Sequence, residues 1–169
     1  VFGAVTVLLD RPFRVGDWVL ISGSEGEVIN ISLRTTLLRT SLDTVVTIPN
    51  ANLTNKPIEN FGKRRWRRYQ PVISLDLDSD PDAVQKFTSG VGDLIRTDEN
   101  TMKEDASWAK VSAISKDSIE ISCNIYWDVN GGADERDARQ LFLLNVARLA
   151  KENGIAFYEP RVRNQRTLN

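Results

Sequence analysis

The sequence contains no histidine and a single cysteine, Cys123. The absence of histidine excludes Ser-His and Cys-His nucleophile pairs and every His-based zinc site. A lone cysteine excludes a disulfide framework and a thiolate metal site. Cys123 lies on the apolar side of the alternating run 119–125, which predicts a small buried residue rather than a reactive thiol. We therefore expect no enzymatic activity, no cofactor and no bound metal.

Long hydrophobic runs are also missing. Val1–Leu9 is apolar, but Asp10 and Arg11 end it, and a membrane span needs about 20 such residues. The segment also lacks the basic start of a signal peptide. Taken alone it has two interpretations, a leading strand or core helix, or the last turns of a longer helix.

Overall composition is that of a folded protein with one domain or two small ones. The chain has 169 residues and a net charge of −1. The charge is uneven, because Val1–Gln70 has ten basic residues against six acidic ones, whereas Pro71–Asp105 has three against nine. This balance gives no overall indication of nucleic-acid binding.

Short β-rich runs separated by turn residues fill the first third of the chain. Trp18–Ile21 predicts a strand, 23–26 a turn, and the alternation of Ile29, Ile31 and Leu33 a half-buried strand that Thr35–Thr40 continues past a bend or bulge. Thr44–Ile48 predicts another strand. No helix lies between them, which favours a small barrel or sandwich. A core of this size is marginal alone, so contact with neighbouring subunits is expected.

Strands and helices alternate after residue 70. Val72–Asp78 predicts a strand, followed by a helix with Ser79 or Asp80 as its N-cap and Pro81 in its first turn. Two strands, a second helix over Asp134–Asn153 and a short strand near Ile155–Tyr158 follow. The order β-α-β-β-α-β predicts a ferredoxin-like unit.

Three local patterns have competing interpretations. Gly23-x-x-Gly26 lacks the Lys-Ser/Thr of a phosphate loop and predicts a hairpin turn. Alternate aspartates at 76–82 could hold a divalent cation, but a solvated face with a helix cap explains them better. The run Lys63–Tyr69 combines basic and aromatic residues, so an RNA or single-stranded nucleic-acid module is the alternative function.

A set of short sequences at 11–61 resembles the β-domain of the small-conductance mechanosensitive channel (MscS) family. Each is weak alone, but together they follow the family's order at about its spacing. The matching stretches are Arg11-Pro12-Phe13-Arg14-Val15-Gly16-Asp17, Gly26-Glu27-Val28, Leu38-Arg39-Thr40, Ile48-Pro49-Asn50 and Pro57-Ile58-Glu59-Asn60-Phe61. The later half matches more loosely.

The resemblance implies a small Sm-like five-stranded β-barrel or sandwich followed by a ferredoxin-like α+β domain. It also implies the cytoplasmic cage of an osmoregulatory channel in the cell inner membrane. Such a homo-heptamer has lateral portals that pass ions and small osmolytes when membrane tension opens the pore, and no nucleic acid is expected as a partner. The implied divisions are the truncated end of a pore-lining transmembrane helix (1–11), the β-domain (12–62), a basic linker (63–69), the ferredoxin-like domain (70–159) and a tail (160–169).

Two residue sets carry the expected roles. Basic side chains near the domain junction are expected to line the portals: Lys63, Arg64, Arg65, Arg67 and Arg68. A β-strand end and the residues after it are expected to form the subunit interface: Val45, Val46, Ile48, Pro49 and Asn50.

Overall fold

A computed structural model describes residues 12–53, 55–102 and 104–160. The expected end of a pore-lining helix at 1–11, and the tail from 161 onward, lie outside the described residues. The chain divides into two units, Val1–Arg65 and Trp66–Asn169. The boundary falls within the basic run.

Five antiparallel strands form the sheet of the first unit, in the order β4-β3-β2-β1-β5. Seven buried residues form the described core of this unit; Val19 and Leu38 come from the strands, whereas Phe13 and Leu53 lie outside them. The strands are β1 (Trp18–Ile21), β2 (Ser24–Ile31), β3 (Thr35–Arg39), β4 (Val45–Pro49) and β5 (Ile58–Asn60).

Two turns in this sheet differ from the prediction. β2 begins at Ser24, so the first turn is confined to Ser22 and Gly23, which have positive φ values of 53° and 83°. The prediction that Thr35–Thr40 continues this strand past a bend or bulge is wrong, because the chain reverses near Leu33 and β3 pairs antiparallel with β2. Leu33 is 64% exposed in this turn. A bulge between Val28 and Asn30 shifts the alternation within β2, so that Val28 is in the core and Ile31 packs against it.

The second unit keeps the predicted order β-α-β-β-α and adds two short strands, β6 and β8. Its central strand is β10, which pairs with β7 on one side and β9 on the other, and Phe157 bridges to Leu75 beyond β7. The elements are β6 (Arg67–Tyr69), β7 (Val72–Asp76), α1 (Pro81–Thr97), β8 (Thr101–Met102), β9 (Trp108–Ile114), β10 (Ser118–Trp127) and α2 (Gly132–Glu152). The predicted last strand is reduced to that single bridge.

Helix ends in this unit follow their sequence signals. Asp80 caps α1, since its side chain accepts a hydrogen bond from the backbone N–H of Ala83 at 3.0 Å. Gly154, just after α2, has a positive φ of 65°, which glycine adopts without steric cost. The helices and sheet enclose sixteen buried core residues, Cys123 among them. The fold class expected from the sequence is confirmed.

Candidate functional site

A polar tie joins the two ends of the first unit. The side-chain nitrogen of Asn60 donates to Asp17 Oδ2 at 2.8 Å and to the carbonyl of Pro12 at 3.1 Å. Its oxygen accepts from the backbone N–H of Gly62 at 2.9 Å. Asp17 and Asn60 belong to the first and last of the family-like stretches, 43 residues apart. These hydrogen bonds therefore join the segment before β1 to the end of β5. The sequence does not predict this structural role.

The carboxyl group of Asp17 is stabilised as an anion by this tie. Partial burial would raise its pKa, but the hydrogen bond from Asn60, the backbone N–H of Arg14 and the charges of Lys63 and Arg14 outweigh it. The pKa of Asp17 is consequently lowered from its ordinary value of 3.8.

Asn50 forms a second polar tie, and it is fully buried. Its side-chain nitrogen donates to the carbonyls of Ser32 at 2.8 Å and Leu33 at 3.2 Å. Its side-chain oxygen accepts from the hydroxyl of Thr36 at 2.8 Å. One amide thus fixes the β2–β3 turn from the far end of β4.

The expected interface residues lie on or directly after β4, a strand at one end of the sheet order. Val45 is 49% exposed and Pro49 is also exposed, whereas Val46 packs partly on the core. Ile48 is only 5% exposed and belongs to the core of its own unit. Within the described chain, Val45 and Pro49 are therefore the members of the set available to a neighbour, while Ile48 and Asn50 serve internal packing.

The basic run is divided between the two units. In the first unit Lys63, Arg64 and Arg65 are exposed, and the Arg64 guanidinium lies 5.1 Å from the Phe61 ring centroid. In the second, Arg67 Nη1 and Glu135 Oε2 form an ion pair at 2.7 Å. Together with Arg68, whose Nε donates to Asn124 Oδ1 at 2.7 Å, this places the second half of the run in contacts inside its own unit.

Tyr69, the aromatic end of this run, belongs to the core rather than to an open stacking surface. Its ring stacks on Trp127 at 5.3 Å between centroids and meets Phe142 edge-on at 6.3 Å. The Arg139 guanidinium lies 4.6 Å from the Tyr69 ring centroid. Since its partners already occupy this ring, Tyr69 offers little to a stacked base.

Chemical groups elsewhere have structural roles. Burial raises the pKa of the Cys123 thiol to about 12, which makes it a poor nucleophile. Asp76 Oδ1 accepts from the backbone N–H of Asp78 at 2.9 Å, so the aspartate series shapes the turn before α1. Among the described residues, no group of three or more Cys, Asp or Glu side chains could hold a metal ion.

An open groove of about 650 Å³ lies between α1 and β9. Its floor includes Val111 and Ile114, which are 45% and 73% exposed. The charged lining residues are Arg96, Asp105 and Lys110. This composition suits apolar contact better than acid–base chemistry.

No described helix is both long and apolar enough to cross a membrane.

Comparison with known proteins identifies relatives for both units. Residues 1–63 match the family model described as mechanosensitive ion channel, beta-domain. An uncharacterized MscS family protein of Aquifex aeolicus is 24% identical over 95% of this chain and 44% of its own length. The small-conductance mechanosensitive channel MscMJ of Methanocaldococcus jannaschii is 32% identical over 58% of this chain and 28% of its own length. The chain spans less than half the length of these two relatives.

Solved structures share the fold of both units. A cryo-EM structure of Arabidopsis thaliana MSL1 matches with a TM-score of 0.87 and 22% identity, covering 95% of this chain and 58% of that one. The crystal structure of Helicobacter pylori MscS in its closed state matches with a TM-score of 0.73 and 22% identity, covering 96% and 64%. The resemblance to mechanosensitive channels drawn from the sequence is confirmed.

Proposed function

We propose that the chain belongs to the MscS family of mechanosensitive ion channels and forms the cytoplasmic cage of such a channel in the cell inner membrane. Several copies, seven in our proposal, surround a vestibule with side portals. Ions and small osmolytes pass through these portals when tension opens a pore formed by other parts of the protein. The chain serves as a conduit and catalyses no reaction.

The observation that carries this proposal is the match of both units, in one chain, to channel proteins. The β-domain model matches residues 1–63, and the fold likeness extends over 95% of the chain. Each unit alone has a fold that hosts many functions, so the combination is more informative than either part.

The edge position of β4 supports self-assembly through the first unit. An edge strand leaves one row of backbone N–H and C=O groups without a partner in its own sheet. Its exposed Val45 gives a neighbour an apolar contact. A head-to-tail contact that uses different surfaces on the two partners closes into a ring when the rotation allows it.

Nucleic-acid binding is the less favoured function. The ring of Tyr69 is held by Trp127, and the side chains of Arg67 and Arg68 bond to Glu135 and Asn124. Half of the predicted basic-aromatic surface is therefore engaged inside the second unit. Salt-dependent binding of an oligonucleotide to the purified protein would favour this alternative.

The test uses the full-length protein reconstituted in lipid. We expect currents that appear under membrane tension in excised patches, and a seven-fold mass by native mass spectrometry. Absence of tension-dependent current from correctly assembled protein would refute the proposal.

The assembly surface is tested with Val45→Asp, which places a charge on the exposed edge of β4 without entering the core. Leu42→Asp is the matched control, because Leu42 is 83% exposed but lies outside the strand. We expect Val45→Asp to lower the oligomer mass and Leu42→Asp to preserve it. An unchanged mass for Val45→Asp would place the contact elsewhere.

A further inference from the structure

The short strand β6 is the first element of the second unit, directly after the boundary at Arg65. It pairs with the end of β10, with Arg67 opposite Trp127 and Tyr69 opposite Ile125. A strand of three residues forms few ladder hydrogen bonds, so backbone pairing alone holds β6 weakly on β10. Side-chain contacts must therefore contribute much of the free energy that keeps β6 paired with β10.

Glu135, in the first turn of α2, provides the central contact. Its Oε2 accepts from Arg67 Nη1 at 2.7 Å, and its Oε1 accepts from Arg139 Nη2 at 3.1 Å. The side chains of Arg67 and Glu135 are only 21% and 20% exposed. Partial burial makes this charge-assisted pair stronger than a fully exposed one.

The same carboxylate acts on β6 by a second route. Arg139, held by Glu135, lies over the ring of Tyr69 at 4.6 Å. Tyr69 in turn stacks on Trp127. Glu135 therefore touches the first residue of β6 directly and secures the last one through Arg139.

Pro71 defines where an opening of β6 would stop. β6 and β7 follow one register along β10, but the pairing is interrupted at Gln70 and Pro71. Proline has no N–H to donate to the ladder. The Pro71 carbonyl accepts from the backbone N–H of Cys123 at 3.0 Å, which anchors the chain at the start of β7.

We propose that β6 is a releasable strap and that Glu135 is its latch. Loss of the Arg67–Glu135 pair makes opening of Arg67–Gln70 from β10 more frequent, against the remaining Arg68–Asn124 bond and the Tyr69–Trp127 stack, while β7 stays paired. Release adds four residues to the covalent connection between the two units, roughly 13 Å of extended chain. The strap is thus a built-in way to loosen that connection.

Hydrogen exchange measured by mass spectrometry on the full-length protein tests this inference. Glu135→Gln keeps the shape of the side chain and removes its charge. Because a charge-assisted hydrogen bond is lost, we expect the amides of β6 to exchange about tenfold faster, with those of β7 unchanged. Glu135→Asp, which keeps the charge on a shorter side chain, should give a smaller increase.

Asp137→Asn is the matched control, since Asp137 is an exposed acid on the same helix. It should leave exchange in β6 unchanged. The inference is overturned if β6 exchange is unaffected by Glu135→Gln, if β6 and β7 accelerate together, or if Asp137→Asn produces the same acceleration.

Discussion

The two units reach a defined fold by different means. Among the described residues, the first has seven buried core residues, and polar ties supplement them, Asp17 with Asn60 and Asn50 with the β2–β3 turn. The second has sixteen, arranged as helices on a sheet around an aromatic cluster, and its buried Asn124 is also hydrogen-bonded. A small core leaves little hydrophobic stabilisation, so individual hydrogen bonds decide more of the structure.

This difference accounts for where the family resemblance is strongest. A polar tie needs a particular side chain at a particular place, because a replacement leaves a buried group without its partner. A hydrophobic layer accepts other apolar residues of similar volume. The sequence is accordingly recognisable over residues 1–63, where the ties lie, and looser in the second unit.

The largest expected effect comes from removing the buried amide of Asn50. Asn50→Ala leaves the carbonyls of Ser32 and Leu33 and the hydroxyl of Thr36 without their partner. We expect a loss of about 3 kcal/mol in the free energy of opening of β2 and β3, measured by hydrogen exchange. Asn52→Ala, at an exposed position two residues away, should change it by less than about 0.5 kcal/mol.

An equal change in hydrogen exchange in both units would contradict the contrast drawn between them. If Asn50→Ala accelerated exchange equally in both units, the first unit would not depend on its own polar ties in the way proposed. If it changed neither unit, the tie would contribute nothing measurable.

Two glycine substitutions are expected to change the stability of the two units in opposite directions. A Cβ on Gly26 would lie 2.4 Å from the carbonyl oxygen of Arg39, a backbone atom that cannot turn away. We expect Gly26→Ala to destabilise the first unit by about 1–3 kcal/mol. A Cβ on Gly92, within α1, would meet only the end of the Arg96 side chain at 3.5 Å.

Gly92→Ala should therefore stabilise the second unit by about 0.5–1 kcal/mol, because alanine favours a helix interior. Hydrogen exchange of each unit measures both changes in the full-length protein. Equal destabilisation by the two substitutions would show that the close approach of the Arg39 backbone to Gly26 does not explain the different responses of the two units.

Sequence reasoning succeeded where the determinants were local. Asp80 before Pro81, the alternation in β10 and Gly154 after α2 each predicted the observed element or end. It failed at Leu33, where alternation continued but the chain turned. The turn has a local part, the hydrogen bonds between Ser32 and Thr35, and a long-range part that periodicity does not encode, the side chain of Asn50, which is 17 residues beyond Leu33.

The same limit applies to the candidate sites. Burial of Ile48 and pairing of Arg67 with Glu135, 68 residues away, depend on contacts that composition and periodicity do not encode. Asp17 and Asn60 lie in stretches that resemble the family, but nothing in either stretch indicates that they bond to each other.

Asp17 makes the first unit sensitive to acid. Its pKa is lowered in the folded protein, so the carboxylate adds stability at pH values above the ordinary carboxyl pKa. That contribution is lost as pH falls through the ordinary value of 3.8 toward the lower folded value. We expect the free energy of opening in the first unit, obtained from exchange rates corrected for the pH dependence of intrinsic amide exchange, to fall over this range. Asp17→Asn should weaken this dependence while lowering stability at neutral pH. An identical pH profile for Asp17→Asn would contradict this account.

The smallest expected effect concerns the basic run, whose residues lie in both units and differ in exposure. Lys63, Arg64 and Arg65 are exposed in the first unit, whereas Arg67 is compensated by Glu135 in the second. We propose that the exposed set forms the positive rim of the portals, since symmetry multiplies these charges and raises the local anion concentration. Salt screens such a field beyond about 10 Å at 0.1 M.

Two charge-neutralised variants of the full-length protein separate these contributions. Replacing Lys63, Arg64 and Arg65 with Gln should shift the reversal potential in a salt gradient toward cation permeability, by an amount that fades at high salt. Replacing Arg67 and Arg68 with Gln should leave the reversal potential unchanged and instead loosen β6, because these side chains bond to Glu135 and Asn124. Equal shifts from both variants would erase the distinction between the two halves of the run. If the first variant caused no shift, the proposal that the basic run lines the portals would be contradicted.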